Sequence, residues 1–504
     1  MMNFKDTLQQ LDVFGLVAEC AEALEVDTYV IGGYVRDLLL KRPSKDIDFV
    51  CVGSGIALAR AVGKRIGPNV KVSVFKNFGT AMLLYKGLEL EFVGARKESY
   101  QRNSRKPIVE NGTLADDQNR RDFTINAMAI SLNKATYGDL VDPFDGLKDL
   151  QRKMIRTPLE PGITFSDDPL RMLRAVRFAT QLGFDIDPDT FDALTAMSTR
   201  LEIISRERIS DELNKIILAK TPSYGFKLLF HAGLLHQFFP EMVALHGVEV
   251  RDKRAHKDNF FHTLQVLDNV AGMSSDLWLR WAAILHDIAK PPTKRFDPRQ
   301  GWTFHGHEDK GARMVPHIFR RLRLPMNEKM KFVQKLVRLH LRPIALVKEE
   351  ITDSAVRRLI FEAGNDLEAL MKLCRADITS KNHDKVKRYL RNFDKVEEKV
   401  AQVEERDRIR NFNPVIGGNE IMILLGLEPS KTVGELKDTL KDAVLEGQVR
   451  NTWAELLGLL RQQATQKGLH IIEDTVEQVK QTIQEHPTDN QYRAYEPTVG
   501  PSKQ

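Results

Sequence analysis

The sequence predicts an α+β protein, with a mixed-sheet head carrying helices and an all-helical remainder. Three observations carry that prediction. Short β-rich runs crowd into the first 150 or so residues, broken by Gly, Pro and Asn turns. After Asp142-Pro143 that signal fades and helical periodicity takes over. A chain of 504 residues is also too long for one core, so several domains are expected.

The β-rich runs are Tyr29–Ile31, Ile47–Val52, Lys71–Phe75, Ala81–Tyr85 and Leu88–Val93, with a helix expected over Gly55–Ile66. The organisation that follows is a head over 1–150, a helical neck over 151–250 and a histidine-rich helical region over 251–390. A helical tail over 391–485 and a polar segment 486–504, expected to be disordered, complete it. The charge run Val396–Asn411 reads as a solvated helix with i,i+4 pairs. Composition is that of a globular protein, 42% hydrophobic and 29% charged. No run reaches the ~20 apolar residues that span a bilayer, so no membrane partner is expected. The N-terminal MMNFKDTLQQ lacks the apolar core of a secretory signal. Cys20, Cys51 and Cys374 show no pairing pattern, which points to a reducing, cytoplasmic setting. A net charge of +6 tolerates a polyanionic partner without requiring one.

The strongest local signal is Tyr29-Val30-Ile31-Gly32-Gly33-Tyr34-Val35-Arg36-Asp37, followed by Asp46-Ile47-Asp48. An apolar strand ends in two glycines and a helix starts at once. Residues without Cβ let the backbone approach a phosphate, and the helix start supplies N–H donors. Asp46 and Asp48 alternate with Ile47 and Phe49, which places both carboxylates on one strand face. Such a pair suits Mg²⁺, a hard cation that keeps sites open for substrate phosphates. Glu91 is a candidate third ligand, although Glu89 lies on the same face.

Further stretches follow in order: Arg120-Arg121-Asp122-Phe123-Thr124-Ile125-Asn126-Ala127, then Asp142-Pro143 with Gly146. After these come Asp167-Asp168-Pro169-Leu170-Arg171-Met172-Leu173-Arg174-Ala175-Val176-Arg177-Phe178, and Glu207-Arg208 with Glu212. Together with the Gly-Gly and Asp-x-Asp stretches, these resemble the class II tRNA nucleotidyltransferase and bacterial poly(A) polymerase family, densely over 25–215. Asp167 departs from the glutamate usual there. The resemblance implies a polymerase-β-like nucleotidyltransferase head. It implies that Gly32, Gly33, Arg36, Arg121, Asp122 and Asn126 serve the nucleotide, and that Asp46, Asp48 and Glu91 are catalytic, the aspartates holding magnesium. It further implies a nucleotide pocket formed by Asp168, Arg171, Arg174 and Arg177.

The chemistry of that last set can be argued separately. The arginines recur at steps of three and form a slowly turning ridge, with Asp168 expected in the first helical turn. A carboxylate acceptor beside an arginine donor matches cytosine and adenine, which present an amine next to an unprotonated ring nitrogen. Uracil and guanine reverse that pattern, so each buried mismatch would cost about 1–3 kcal/mol. CTP and ATP can therefore be chosen without a template strand.

Poly(A)-type members carry a GRRF-like stretch where this chain has Val93-Gly94-Ala95-Arg96-Lys97-Glu98-Ser99-Tyr100. The polar, basic Gln101–Gly112 reads as a mobile loop near the primer end. Pro414–Asn419, Met422, Gly426, Pro429, Gly434, Gly447 and Asn451 resemble the tail of CCA-type members. The resemblance therefore favours CCA addition to tRNA over poly(A) addition.

Seven of the 13 histidines fall between His256 and His340. The order His262, His286-Asp287, His307, His340, Asp377 is that of HD-domain metallohydrolases. Imidazoles and carboxylates from several helices would hold one or two divalent transition metals. His262, His286, Asp287 and Asp377 form the first set, and His307 and His340 serve a second metal. Phosphoester hydrolysis at RNA 3′ ends is the expected chemistry.

Overall fold

In a computed structural model of the chain, residues 2–76, 79–99, 108–252, 254–346, 352–380, 382–407 and 412–485 are described. The chain divides into two units, Met1–Val243 with Arg321–Arg323, and Ala244–Arg320 with Leu324–Gln504.

Up to Val141, the described residues of the first unit form nine strands: β1 (Thr28–Ile31), β2 (Asp46–Cys51), β3 (Ser73–Phe75), β4 (Thr80–Tyr85), β5 (Leu88–Gly94), β6 (Arg96–Ser99), β7 (Ile108–Asn111), β8 (Ala129–Ser131) and β9 (Leu140–Val141). Seven form one sheet in the order β3-β4-β5-β2-β1-β8-β9, and β6 pairs with β7 separately. The β2–β5 pair is parallel and the other pairs are antiparallel, so the sheet is mixed as expected. Helix Gly55–Ile66 makes the crossover that the parallel pair needs.

Period-two patterning sets the sheet's faces. Ile47 and Phe49 are buried while Asp46 and Asp48 face the other way. Phe49 stacks on Phe92 with centroids 5.0 Å apart, and each fully buried ring is worth about 1.5–3 kcal/mol. Ser54 caps helix Gly55–Ile66, its hydroxyl accepting from the Ala57 N–H at 3.2 Å. Leu58, Ala59 and Val62 of that helix are buried. A Cβ on Gly55 would stand 2.7 Å from the Val93 carbonyl carbon, so the helix seats on the sheet only with glycine there.

The five anticipated strands form with ends moved by one or two residues. β6 to β9 were not anticipated, because two to four residues are too few for a period to show. Ile108–Asn111 lies in the stretch read as a mobile loop, yet it pairs with Arg96–Ser99. Residues 101–107 of that stretch lie outside the described residues.

Beyond Asp142-Pro143 helices dominate, apart from three two-stranded additions. Those nearest the head's site are Leu170–Leu182 and Arg206–Ile217. In the second unit, Asn259–Met273, Leu277–Leu285, Glu328–Leu339 and Leu367–Asp377 surround the histidines. Helix His383–Asp407 takes up most of the charge run and is amphipathic, with Val396, Val400 and Val403 buried. Its Lys399 and Arg406 reach Asp353 at 2.5 and 2.7 Å, on another helix rather than one turn along. Residues 408–411 of the run and the segment 486–504 lie outside the described residues. Among the described residues, no helix is long and apolar enough to cross a membrane.

Candidate functional site

β1 ends at Ile31, and Gly32, the N-cap of helix Gly33–Leu39, has φ +80°. A Cβ there would lie 2.8 Å from Arg121 Nη1 and 3.3 Å from Asp48 Oδ2. The glycine is therefore required by its backbone angle and by the side chains crossing it. Gly32→Ala is expected to lower nucleotide incorporation by about tenfold or more, since Arg121 must give way beside Asp48, with strain of about 1–3 kcal/mol lowering the melting temperature. Parallel measurements of incorporation and melting check this.

β2 places Asp46 and Asp48 on the face that borders a cavity of about 450 Å³. In the β2–β5 register Asp48 stands level with Glu91, and Asp46 with Glu89. Both glutamates line the cavity, so the register puts Glu91 beside the inner aspartate and Glu89 beside the exposed one. Burial pushes the Asp48 carboxyl up, Arg121 opposes the shift, and Asp46 adds to it. Burial and then Asp48 push Glu91 up as well. Carboxylates that crowd one face and resist ionisation together fit a shared divalent cation.

A second group brings basic side chains to the same cavity. Asp117 is fully buried and carries Arg120 and Arg121, the latter donating from Nε at 3.1 Å. Arg36 donates to Asn126 Oδ1 at 2.8 Å, and Asn126 donates to Asp122 Oδ1 at 3.0 Å. Arg174 Nε donates to Asp122 Oδ2 at 2.8 Å. Burial alone would raise Asp122, but Arg174, Asn126 and Arg171 carry it down to about 2. Arg177 pairs with the buried Glu212 at 2.5 Å. The guanidiniums of Arg177, Arg36 and Arg174 stand 3.9, 5.1 and 5.4 Å from the Phe178 ring centroid. One aromatic ring thus lies within cation–π range of three guanidiniums that line the cavity.

Gly32, Gly33, Arg36, Asp46, Asp48, Glu91, Arg121, Asp122, Asn126, Arg174 and Arg177 all line this cavity, whereas Asp168 and Arg171 do not. Asp168 lies before the N-cap Pro169 instead of in the first turn, in an extended conformation. The proline ring disfavours a helical residue ahead of it. Its Oδ1 accepts from the Leu170 N–H at 3.1 Å and its Oδ2 meets Arg208 at 3.0 Å. Arg171 is buried, and its guanidinium donates to the carbonyls of Thr164 at 3.3 Å and Arg120 at 2.5 Å. Steps of three fall about 60° short of a full turn, so Arg171 and Arg177 point about 120° apart and the ridge leaves the cavity at its N-terminal end.

Phe178, Glu212, Arg208 and Asp117 were not assigned roles from the sequence. The first three stand in quoted motifs, and a buried acid between basic residues was the available signal for Asp117.

The histidine-rich region assembles a second centre, entirely in the second unit. His262 lies in the first turn of Asn259–Met273, His286 caps Leu277–Leu285, His340 caps Glu328–Leu339, and Asp377 ends Leu367–Asp377. Among the described residues, the groups of three ligand atoms within 4.8 Å of one another are His262–His286–Asp287 and Asp287–His307–His340. Asp287 bridges them. Its Oδ2 stands 3.4 and 3.3 Å from the Nε2 atoms of His262 and His286, and its Oδ1 stands 3.3 and 3.9 Å from those of His307 and His340. Asp377 Oδ1 joins the first set, 2.9 Å from His262 and 3.5 Å from His286.

The donor set fits divalent metal on two grounds. Nδ1 of His286, His307 and His340 each faces a backbone carbonyl at 2.7–2.8 Å, which fixes the tautomer and leaves Nε2 free to ligate. His286 Nε2 is buried between two carboxylates without a hydrogen bond to either. Burial would pull the His286 imidazolium down, but Asp287 and Asp377 hold it up to about 10. Ionised carboxylates that stabilise a buried imidazolium so firmly attract a metal cation by the same field. His262 differs, since its Nδ1 faces Thr379 Oγ1 at 3.0 Å and Lys257 Nζ at 2.8 Å. Lys290 Nζ sits 2.5 Å from Asp287 Oδ2. The sequence reading assigned neither lysine.

The head's fold and its acidic and basic walls define a nucleotidyltransferase, and the second centre defines an HD metal-binding module. Comparison with known proteins agrees. Residues 28–156 match the poly A polymerase head domain, 183–245 the probable RNA and SrmB-binding site of polymerase A, and 259–370 the HD domain. A multifunctional CCA protein from Nitrosococcus oceani is 34% identical over 366 residues, covering 70% of this chain and 84% of that protein. An A-adding tRNA nucleotidyltransferase from Deinococcus radiodurans is 33% identical over 431 residues, covering 83% and 92%. A crystal structure of a tRNA nucleotidyltransferase with a primer tRNA and an incoming ATP analogue is 25% identical, with a TM-score of 0.53 over 76% of this chain and 99% of that one. The chain belongs to the tRNA nucleotidyltransferase and poly(A) polymerase family.

Proposed function

We propose that this protein adds C, C and A, from CTP and ATP, to the 3′ end of tRNA without a nucleic-acid template. The observation that carries the reading is one cavity lined both by the carboxylates of β2 and β5 and by Arg36, Arg121, Arg174 and Arg177. The transfer joins the terminal ribose oxygen of the tRNA to the α-phosphorus of the nucleotide. The bond from that phosphorus to the β-phosphate oxygen breaks and pyrophosphate leaves. Asp46 and Asp48, with Glu91 beside them, would hold Mg²⁺, which supplies Lewis-acid activation of the hydroxyl and of the leaving phosphate. Arg36 and Arg121 neutralise the triphosphate, and Gly32 and Gly33 let the backbone approach it. Arg174 and Arg177, braced by Asp122 and Glu212, hold the nucleotide. Asp168 and Arg171 are assigned to base selection, with Arg208 the counter-ion of Asp168.

tRNA would be held chiefly through its phosphates and its shape, so affinity should fall steeply with salt. The three free cysteines are all buried, which accords with a cytoplasmic protein. The HD centre is assigned a divalent transition metal at each of its two ligand groups. Its reaction is hydrolysis of a phosphoester at an RNA 3′ end, in which water adds to phosphorus and the ribose oxygen leaves with a proton.

The test is incubation with tRNA lacking CCA, CTP, ATP and Mg²⁺, with products resolved to one nucleotide. Three additions in the order C, C, A are expected. The A-adding relative makes addition of A without C the alternative outcome, and a long A tail would mark a poly(A) polymerase.

A further inference from the structure

Asp117 is a fully buried acid that takes no part in lining the head's cavity. It lies on the short helix Leu114–Asn119. That helix is fixed at its start by a capping box, in which the Thr113 hydroxyl accepts from the Asp116 N–H at 3.2 Å and the Thr113 N–H donates to Asp116 Oδ2 at 2.8 Å. A buried carboxylate is costly unless cations pair with it, and here two do.

Its oxygens divide between consecutive arginines. Oδ1 accepts from Arg120 Nε at 2.9 Å, and Oδ2 meets Nε and Nη2 of Arg121, each at 3.1 Å. This side-on grip occupies one edge of the Arg121 guanidinium and leaves Nη1 to other partners. Nη1 donates to the Asn126 carbonyl at 3.4 Å and lies 2.8 Å from the point a Gly32 Cβ would occupy. Asp48 Oδ2 lies 3.3 Å from that same point. Arg121 thus sits between two acids, yet among the described residues its ion pair is with Asp117 and not with Asp48. One carboxylate against two guanidiniums leaves a surplus positive charge, and of the pair only Arg121 brings it to the cavity. The turn that carries Arg121 is braced from helix Leu170–Leu182 as well, since the Arg120 carbonyl accepts from Arg171.

We infer that Asp117 is a positioning residue for nucleotidyl transfer: its grip on one edge of Arg121 keeps that guanidinium off the Asp48 carboxylate and presents Nη1 to the incoming triphosphate. Without that grip Arg121 closes on Asp48 and competes with Mg²⁺ for its oxygens. This rests on the nucleotidyltransferase reading above.

Calorimetry of CTP binding to the full-length protein in EDTA reads the positioning without metal. Asp117→Asn should weaken CTP binding about tenfold or more, the worth of a hydrogen bond to a charged group. Arg121→Ala should weaken it as much, and the double variant no further than Arg121→Ala alone, because all three lose one and the same interaction. A second measurement changes sign between variants. At saturating CTP, Asp117→Asn should need about tenfold more Mg²⁺ for its half-maximal incorporation rate, and adding Arg121→Ala should bring that requirement back down by removing the competitor. A merely structural fault would be deepened by the second substitution, not reversed. Arg121→Lys guards against a folding defect in Asp117→Asn. Its ammonium keeps the ion pair with Asp117 but has no second edge to offer, so it should bind CTP about as weakly as Arg121→Ala. Losses that add in the double variant, an unchanged Mg²⁺ requirement in Asp117→Asn, or wild-type CTP affinity in Arg121→Lys overturns the inference. If the wild type binds neither CTP nor ATP, the nucleotidyltransferase reading itself fails and this inference falls with it.

Discussion

Asp48→Asn is expected to abolish nucleotide incorporation, by about 10³-fold or more, while the fold survives. The loss follows from position. Asp48 stands between Ile31 on β1 and Glu91 on β5, touches the Gly32 turn, and shares its face with Asp46. An amide keeps the shape but removes the charge that holds Mg²⁺ against the triphosphate. Several kcal/mol of transition-state stabilisation then go, and each ~1.4 kcal/mol is tenfold in rate. Stability should move the other way. The folded-state carboxyl is raised above its ordinary value, so the folded protein binds more protons than the unfolded chain between the two values. Without divalent cations, wild-type stability therefore falls as pH rises through that window, while the asparagine variant lacks this slope. Added Mg²⁺ should close the difference. Melting curves across pH, with and without Mg²⁺, check the sign. A variant that incorporates nucleotides normally would remove Asp48 from the chemistry.

Asp287→Asn is expected to lower metal affinity at the HD centre by about 100-fold or more and to stop phosphoester hydrolysis, with C, C and A addition intact. One carboxylate faces both ligand groups through different oxygens, so its loss weakens both at once. The apo protein should also lose about 3–5 kcal/mol, because Lys290 and His286 are left beside an amide in a buried site. His340→Ala is the milder companion, expected to lower bound metal from two ions to one while the first group keeps His262, His286, Asp287 and Asp377. Metal content by elemental analysis, alongside hydrolysis and incorporation assays, separates these outcomes. Unchanged metal content in Asp287→Asn would dismiss the bridging role.

Much of both centres was legible in the sequence because the informative residues sit at points where local rules are strict. A strand that stops at Gly32-Gly33 must turn there, and Asp46-Ile47-Asp48 must place its acids on one face. The grouping of the candidate HD ligands was legible for a similar reason. His286, His307, His340 and Asp377 stand at helix ends, and His262 in a first turn, where the apolar periodicity breaks. What escaped depends on three-dimensional partners. The ridge of Arg171, Arg174 and Arg177 was correct as a pattern, yet its drift turns Arg171 to the carbonyls of Thr164 and Arg120. Asp168 was expected inside a helix that Pro169 forces to begin later. Lys257 and Arg208 meet their partners only after folding, with partners more than a hundred residues away in one case. Asn451, read only as part of a motif, turns out to be buried, its side chain bonded to the backbone of Asn413 and Val415 at 2.9 Å.

The central claim is that one cavity brings the triphosphate to the β2 carboxylates. A crystal structure with Mg²⁺ and a CTP analogue that cannot be transferred tests it most directly. The account predicts phosphates between Asp46, Asp48 and Arg121, with the base reaching Asp168 and Arg171. A nucleotide bound clear of both the carboxylate face and the arginine wall would contradict it.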